Sequence, residues 1–357
     1  MMNIPTMLKQ LHDMLFISLK RMNMLKYSFG HKMADTKEKV LTSEQKKEIK
    51  KFYSKYGKVS YVFHNFYTEK TGVFSEKYVP DNMYYNKINM FYCNQLIVKY
   101  LDNKCYYNIM FPDILQPVVL VTRKGDCWFA GKELVTFDEM LDIICEEDAV
   151  FIKNATNSSG GGGVKLVEKA ECEDFRKAIT EVVSKINVDV VIQRRIIQHK
   201  DFARLNETSV NTMRILTVLR NGEVKVYSSV IRIGKPNAKI DNYSSGGMSV
   251  GITEDGKLKE YAYFFNGDRI TQHPSSDIEF KGYQLPYFDR AIEMVKKAHF
   301  YVPHFKMVSW DVAIREDGAP ILVEANLSDG QIDLHQLCNG PLFGDDTKMI
   351  LDEVFSK

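Results

Sequence analysis

Apolar and polar positions change period several times along the chain, and each change marks an element. Leu8, Leu11, Leu15, Leu19 and Met22 recur at helical spacing with Lys9, Lys20 and Arg21 off the stripe, which predicts a basic amphipathic helix. Thr42 and Gln45 form a capping-box pair ahead of Lys46 to Tyr56 and predict a second helix. From Val59 to Tyr92 the chain is rich in Tyr, Phe and Asn and alternates loosely, which reads as short strands and turns. Residues 101–117, LDNKCYYNIMFPDILQP, read as a helix carrying Lys104, stopped by Pro112 and followed by an extended segment. Val118–Thr122 and Cys127–Ala130 are predicted strands around a turn, and Phe137, Met140, Leu141 and Ile144 mark a helix. Ala149–Lys153 and Val164–Val167 are strands separated by a polar loop with four glycines, and Val190 to Ile197 is another strand. Between them Phe175, Ala178, Ile179, Val182, Val183 and Ile186 complete a helical stripe.

The second half alternates with period two. Residues 209–232 predict two strands around Asn221-Gly222, and residues 309–330, SWDVAIREDGAPILVEANLSDG, predict two more around Asp317-Gly318. A two-residue turn at Asp317-Gly318 sets Asp311 directly opposite Glu324, with Asn326 on the same face and Trp310, Val312, Ile314, Ile321 and Val323 on the other. Opposed carboxylates repel unless a cation lies between them. Two carboxylates and an amide oxygen suit a hard ion such as Mg²⁺. A solvated acidic face would show the same pattern.

Composition bounds the rest. The chain has 357 residues, 45% hydrophobic and 26% charged, as in an ordinary globular protein of two or three domains. A net charge of +2 leaves no nucleic-acid footprint. Six cysteines stand singly, which predicts reduced thiols in a cytoplasmic protein and excludes a zinc motif of C-x-x-C type. Residues 1–60 carry an excess of Lys and Arg, so the first amphipathic helix either packs on its own domain or touches an anionic membrane surface.

Several residues are candidates for chemistry. Gly160, Gly161, Gly162 and Gly163 allow backbone N–H groups to approach an anion, although a plain surface loop would read alike. Strand follows the loop, which excludes a P-loop or a dinucleotide fingerprint, both of which run into a helix. Arg214 and Arg232 sit within otherwise apolar or β-branched strands and need anionic partners, either phosphate or local carboxylates. The loop IDNYSSGGMSV, with Asn242, Gly246 and Gly247, is too long for a mere connection.

In this order, SVNTMRILT, VIRIG, DNYSSGG and WDVAIREDGAPILVEANLSDG resemble the ATP-grasp superfamily of carboxylate–amine ligases. The likeness is greatest to its glutamate-ligase-like and sugar-transfer-associated branches and covers about Leu101 to Val354. It implies an α+β fold in which two α+β subdomains, residues 93–198 and 199–357, clasp ATP after a mainly helical extension over residues 1–92. By resemblance, Lys104 and Lys153 touch adenine or the phosphates, and Gly160 to Gly163 cover them. Gln193, Arg194 and Ile196 belong to the hinge strand that meets adenine, with Asp201 at the ribose. Arg214 and Arg232 hold the γ-phosphate and acyl phosphate, and Asp311, Glu324 and Asn326 ligate Mg²⁺ or Mn²⁺. Asn242, Gly246, Gly247, Ser328 and Asp329 face the acceptor, where Asp329-Gly330 replaces the family's usual Pro-Gly. The implied activity is ATP-dependent amide formation between an amino acid and a sugar-linked partner, with a phosphotransferase or a non-catalytic nucleotide-binding module as alternatives. Implied partners are small-molecule or sugar-linked substrates and no nucleic acid, with weak membrane contact through residues 4–26 as a further option.

Overall fold

The computed structural model describes residues 30, 32, 35–36, 39–156, 163–243, 246–276, 278–328 and 330–356. The basic stretch 4–26, Gly160, Gly161, Gly162 and Asp329 lie outside the described residues. Packing divides the chain into two compact units. One comprises the chain up to Tyr92 with Asn266–Asp268 and the chain from Gln331, the other Cys93–Phe265 with Arg269–Gly330. The expected division assigned residues 331–357 to the second subdomain; they pack within the first unit instead.

In the first unit the Thr42 capping box forms as expected, with Gln45 N–H donating to Thr42 Oγ1 and Thr42 N–H to Gln45 Oε1, and it starts the helix Ser43–Phe52. The aromatic stretch 59–92 is helical rather than stranded. Ser60 caps the helix Tyr61–Thr71, Gly72 ends it at φ 77°, and a run from Asp81 to Tyr92 includes a π-helical turn over Tyr84–Ile88. Phe63, Phe66 and Tyr67 share one helical face and are buried, and Tyr67 stacks on Tyr78 at 5.1 Å. Aromatic burial by ring-on-ring packing fits either period, so only the cap residues marked these helices. Lys32 is buried in this unit with its ammonium 3.0 Å from Asp81 and 3.8 Å from Asp333.

The second unit holds two sheets, both antiparallel throughout. Strands β1 (Val119–Lys124), β2 (Cys127–Ala130), β3 (Glu133–Val135), β4 (Ala149–Asn154), β5 (Val164–Glu168) and β6 (Val190–Arg194) form the smaller sheet in the order β3-β2-β1-β6-β4-β5. Val121, Val150, Ile152, Val190 and Ile192 pack there against the helices Phe137–Cys145 and Phe175–Val183, whose stripes the sequence shows. The single helix expected from Leu101 up to Pro112 is instead a helix Gln95–Leu101, a 3₁₀ turn Lys104–Tyr106 capped by Asn103, and a short turn Tyr107–Met110. Lys104 therefore stands on a tight turn, with its N–H fixed to the Ala155 carbonyl.

Strands β7 (Thr212–Arg220), β8 (Glu223–Ile233), β9 (Met248–Ile252), β10 (Leu258–Phe264), β11 (Arg269–Ile270), β12 (Met307–Ile314) and β13 (Pro320–Asn326) form the larger sheet, ordered β11-β10-β9-β8-β7-β12-β13. The β7–β8 turn is Asn221-Gly222 as expected, with both residues at positive φ and Arg220 opposite Glu223. The β12–β13 turn is not the expected two-residue one. It spans Glu316, Asp317 and Gly318, with Gly318 at φ 81° and Arg315 bonded to Ala319. A bulge at Val323 then restores the register, and Asp311 still faces Glu324.

Beneath β7 and β12, Trp310 Nε1 donates to Thr217 Oγ1, and Thr217 Oγ1 and the Phe305 carbonyl each lie 2.7 Å from a ring nitrogen of His299. Burial lowers the His299 pKa to about 4, only partly opposed by the Phe305 carbonyl. Because the unfolded chain takes up that proton near pH 6.5, this contribution is full above pH 6.5 and is lost as pH falls to 4. Unfolding free energy is expected to drop by roughly 3 kcal/mol across that window from His299 alone. His299→Gln, which does not titrate, should remove that part of the slope in denaturant titrations; an unchanged pH dependence would contradict it.

Candidate active site

In an antiparallel ladder, directly paired residues point to one face. Asp311 on β12 pairs with Arg214 on β7 and with Glu324 on β13, and Thr212 pairs with Arg232 on β8, so these strands aim their charged residues together. Arg214 grips Asp311 bidentately, Nε to Oδ1 at 2.7 Å and Nη2 to Oδ2 at 2.8 Å. Arg232 Nη2 adds a bond to Oδ2 at 3.0 Å. Burial drives the Asp311 carboxyl up, but the two guanidinium groups outweigh it and hold the group at about 2. Burial likewise lowers Arg214, and Asp311 more than reverses this, so the guanidinium stays charged.

Glu324 accepts from Lys104 Nζ at 2.8 Å. The expected repulsion between opposed carboxylates is therefore already offset by side-chain cations, and the local-carboxylate alternative for both arginines is what the structure shows. Asn326 Nδ2 donates to the Ser309 carbonyl, which turns its amide along the same edge.

The smaller sheet supplies Lys153 from the end of β4. Burial lowers its pKa to about 8, the neighbouring Lys104 charge adds to this, and Glu324, Asp241 and Asp311 act the other way. Among the described residues no carboxylate lies within ion-pair distance of Lys153. One residue on, Asn154 N–H donates to the Gly163 carbonyl where the glycine-rich loop closes. Gly163 has φ 86°, and a Cβ there would stand 2.4 Å from Asn154 Nδ2, so this position admits only glycine.

The remaining expected residues divide. Gln193 is buried on β6, with no hydrogen-bond partner for Oε1 among the described residues. Ile196 is half-buried where the chain leaves β6 for the bridge between Gln198 and Arg315. Arg194 is exposed, and its guanidinium is held by Glu147 through bonds of 2.8 and 2.6 Å. Asp201 lies 3.6 Å from His199 Nδ1, and among the described residues no hydrogen bond or ion pair links it to the cluster above. In the β8–β9 loop the Asn242 carbonyl accepts from Gly247, whose Cβ would stand 2.7 Å from that oxygen, and Gly246 has φ 95°. Ser328 is half-buried just after β13. Sequence reasoning missed Asp241 in the same loop, which bonds Thr212 and Arg232.

An anion fits beside Lys153, because a half-buried ammonium next to a second ammonium favours a negatively charged partner. A divalent ion fits the carboxylate edge more narrowly. No group of three His, Cys, Asp or Glu among the described residues could hold a metal. Glu324, Asn326 and the remaining lone pair of Asp311 form an oxygen-only set that Mg²⁺ would complete with water and phosphate oxygens.

Two antiparallel sheets with cations and an acidic edge in one cluster agree with the resemblance to ATP-grasp proteins, and the match of a family model over most of the chain places it in that class. Within that class, the chain belongs to the sugar-transfer associated ATP-grasp family, which matches residues 82–350. Among solved structures it is similar to a D-alanine–D-alanine ligase from Bacillus anthracis, at 16% identity over 74% of this chain and 70% of that one, with a TM-score of 0.42. It is also similar to an L-amino acid ligase from Bacillus licheniformis, at 17% identity over 72% of this chain and 48% of that one, with a TM-score of 0.41. The biotin carboxylase domain of a Hydrogenobacter thermophilus carboxylase, in complex with MgADP, matches at 12% identity over 73% and 46% of the two chains, with a TM-score of 0.44. No curated protein matches the chain. Among the described residues no helix is long and apolar enough to cross a membrane.

Proposed function

We propose that this protein is an ATP-dependent ligase that joins a carboxylate to an amine through an acyl phosphate, releasing ADP and phosphate. The substrate pair is an amino acid and a sugar-linked or surface-polysaccharide precursor, a reading supported by the family's association with sugar transfer. The observation that carries the ligase reading is Lys153. A half-buried ammonium held below its ordinary pKa by desolvation and by the charge of Lys104, with no carboxylate within ion-pair distance among the described residues, is explained by a polyphosphate that enters from solution.

A carboxylate reacts with an amine only after its oxygen becomes a leaving group. Phosphoryl transfer supplies that, and it rests on positioning and charge neutralisation more than on covalent chemistry. Lys153 and Lys104 bind and orient the triphosphate. Arg214 and Arg232, held at fixed angles by Asp311, take up charge on the transferred group. Mg²⁺, held by Glu324, Asn326 and Asp311, would neutralise the phosphate oxygens.

The test is a screen of amino acids and uronic acids for acceptor-dependent phosphate release, with products identified by mass. A condensed product is expected. A stable phosphorylated acceptor would make the protein a phosphotransferase, and ATP binding without ADP release for any acceptor would make it a binding module.

A further inference from the structure

Asp241 has no part in the roles above, yet it is tied to both arginine strands. One carboxylate oxygen accepts from the Thr212 N–H at 3.1 Å and from the Thr212 hydroxyl. Arg232 Nη2 lies 3.4 Å from the same carboxylate and donates to Thr212 Oγ1 at 2.8 Å and to Asp311 Oδ2 at 3.0 Å. Arg232 thus stands between two carboxylates. One of them, Asp311, belongs to the edge that fits a divalent ion; the other does not.

The loop that delivers Asp241 is itself anchored. Asn206 Nδ2 donates to the Gly234 carbonyl at 3.1 Å, His273 Nε2 lies 2.8 Å from it, and Thr208 Oγ1 donates to the Ala238 carbonyl at 2.8 Å. A carboxylate brought to an arginine by a braced loop differs from a surface ion pair, whose partners wander at little cost.

We propose that Asp241 is a positioning residue for phosphoryl transfer: it keeps the Arg232 guanidinium in place when Asp311 turns an oxygen to a divalent ion. This rests on the ligase reading above. Arg232 meets Asp311 through one nitrogen only, whereas Arg214 meets it through two, so Arg232 loses more when Asp311 is drawn away. The Thr212 hydroxyl is neutral and alone holds a guanidinium weakly; Asp241 supplies the charge-assisted contact. Its negative charge has a second effect. It acts on the Lys153 ammonium, to which the ligase reading assigns the triphosphate, and so opposes ground-state phosphate binding there; affinity and rate respond to it in opposite directions.

That opposition is the test. In full-length protein, Asp241→Asn keeps the size of the side chain and its acceptor for Thr212 while removing the charge. Calorimetric titration with ATP in the presence of a chelator should show binding roughly two- to fivefold tighter than wild type. Turnover with Mg²⁺ should show kcat lowered on the order of tenfold or more with KM for ATP unchanged or lower. Arg232→Lys and the double variant complete a cycle in which the two kcat losses are not additive. Unchanged affinity and kcat would overturn the proposal, and so would weaker binding, lower kcat and a lower melting temperature moving together, the pattern of a purely structural residue. A wild-type protein that binds no ATP would overturn the ligase reading as well, whereas normal wild-type turnover with an indifferent Asp241→Asn sinks this inference alone.

Discussion

Asp311→Asn is expected to abolish ATP turnover and to destabilise the fold by roughly 3–5 kcal/mol. Ladder electrostatics alone give the opposite sign for stability, since deleting one of two opposed carboxylates relieves repulsion. The partners of Asp311 reverse it. Arg214 is 5% exposed and spends two nitrogens on Asp311, and Arg232 adds a third contact. An asparagine in that place accepts fewer of these bonds and carries no charge, which leaves a buried guanidinium uncompensated. Urea unfolding at pH 7 with a chelator measures the loss without metal. Replacing the buried pair together, Arg214→Met with Asp311→Leu, should recover most of the stability and none of the activity, because apolar residues of similar volume often substitute for a buried ion pair. Wild-type stability in the single variant would show that the pair carries no weight in the fold.

The same residues show what a sequence reveals and what it withholds. Arg214, Asp311 and Glu324 were legible because charge inside a strand of otherwise apolar residues stands out, and period two tells which face it takes. The identity of the neighbours was not legible: alternation places Asp311 on a face but does not say whether an ion or a guanidinium meets it. The pairing of Asp311 with Glu324 came out right through two departures that cancel, a three-residue turn at Glu316–Gly318 and a bulge at Val323. Either one alone would have turned Glu324 to the other face. Asp241 was hidden for a different reason. A loop has no period, so no pattern marks the one residue in it that folds back onto the strands. In the first unit, Tyr and Phe suit both helix packing and sheet packing, so 59–92 read as strands and turns although it is helical; Ser60 and Gly72, the cap residues of Tyr61–Thr71, mark ends rather than faces and went unused.

Lys153→Met separates ligand binding from folding most cleanly. The Lys153 ammonium has its pKa lowered to about 8, first by burial and then by Lys104. The unfolded chain holds the same proton up to about pH 10.4. At pH 7 the folded protein therefore keeps a charge it holds weakly, and stability rises with pH between 8 and 10.4 as that proton leaves. Methionine has nearly the same length and no charge, so the nucleotide-free variant is expected to be more stable at pH 7, by up to about 3 kcal/mol, and to lose that rise with pH. ATP affinity should move the other way. Bound phosphate stabilises the ammonium, so wild-type affinity is full below pH 8 and falls by up to about tenfold per pH unit above it. The methionine variant should bind ATP at least tenfold more weakly at pH 7 and show no such fall. Denaturant titrations and calorimetry at pH 7 and pH 9 read the two effects separately. A variant that is less stable and yet binds ATP normally would mean that the ammonium packs for the fold and meets no phosphate.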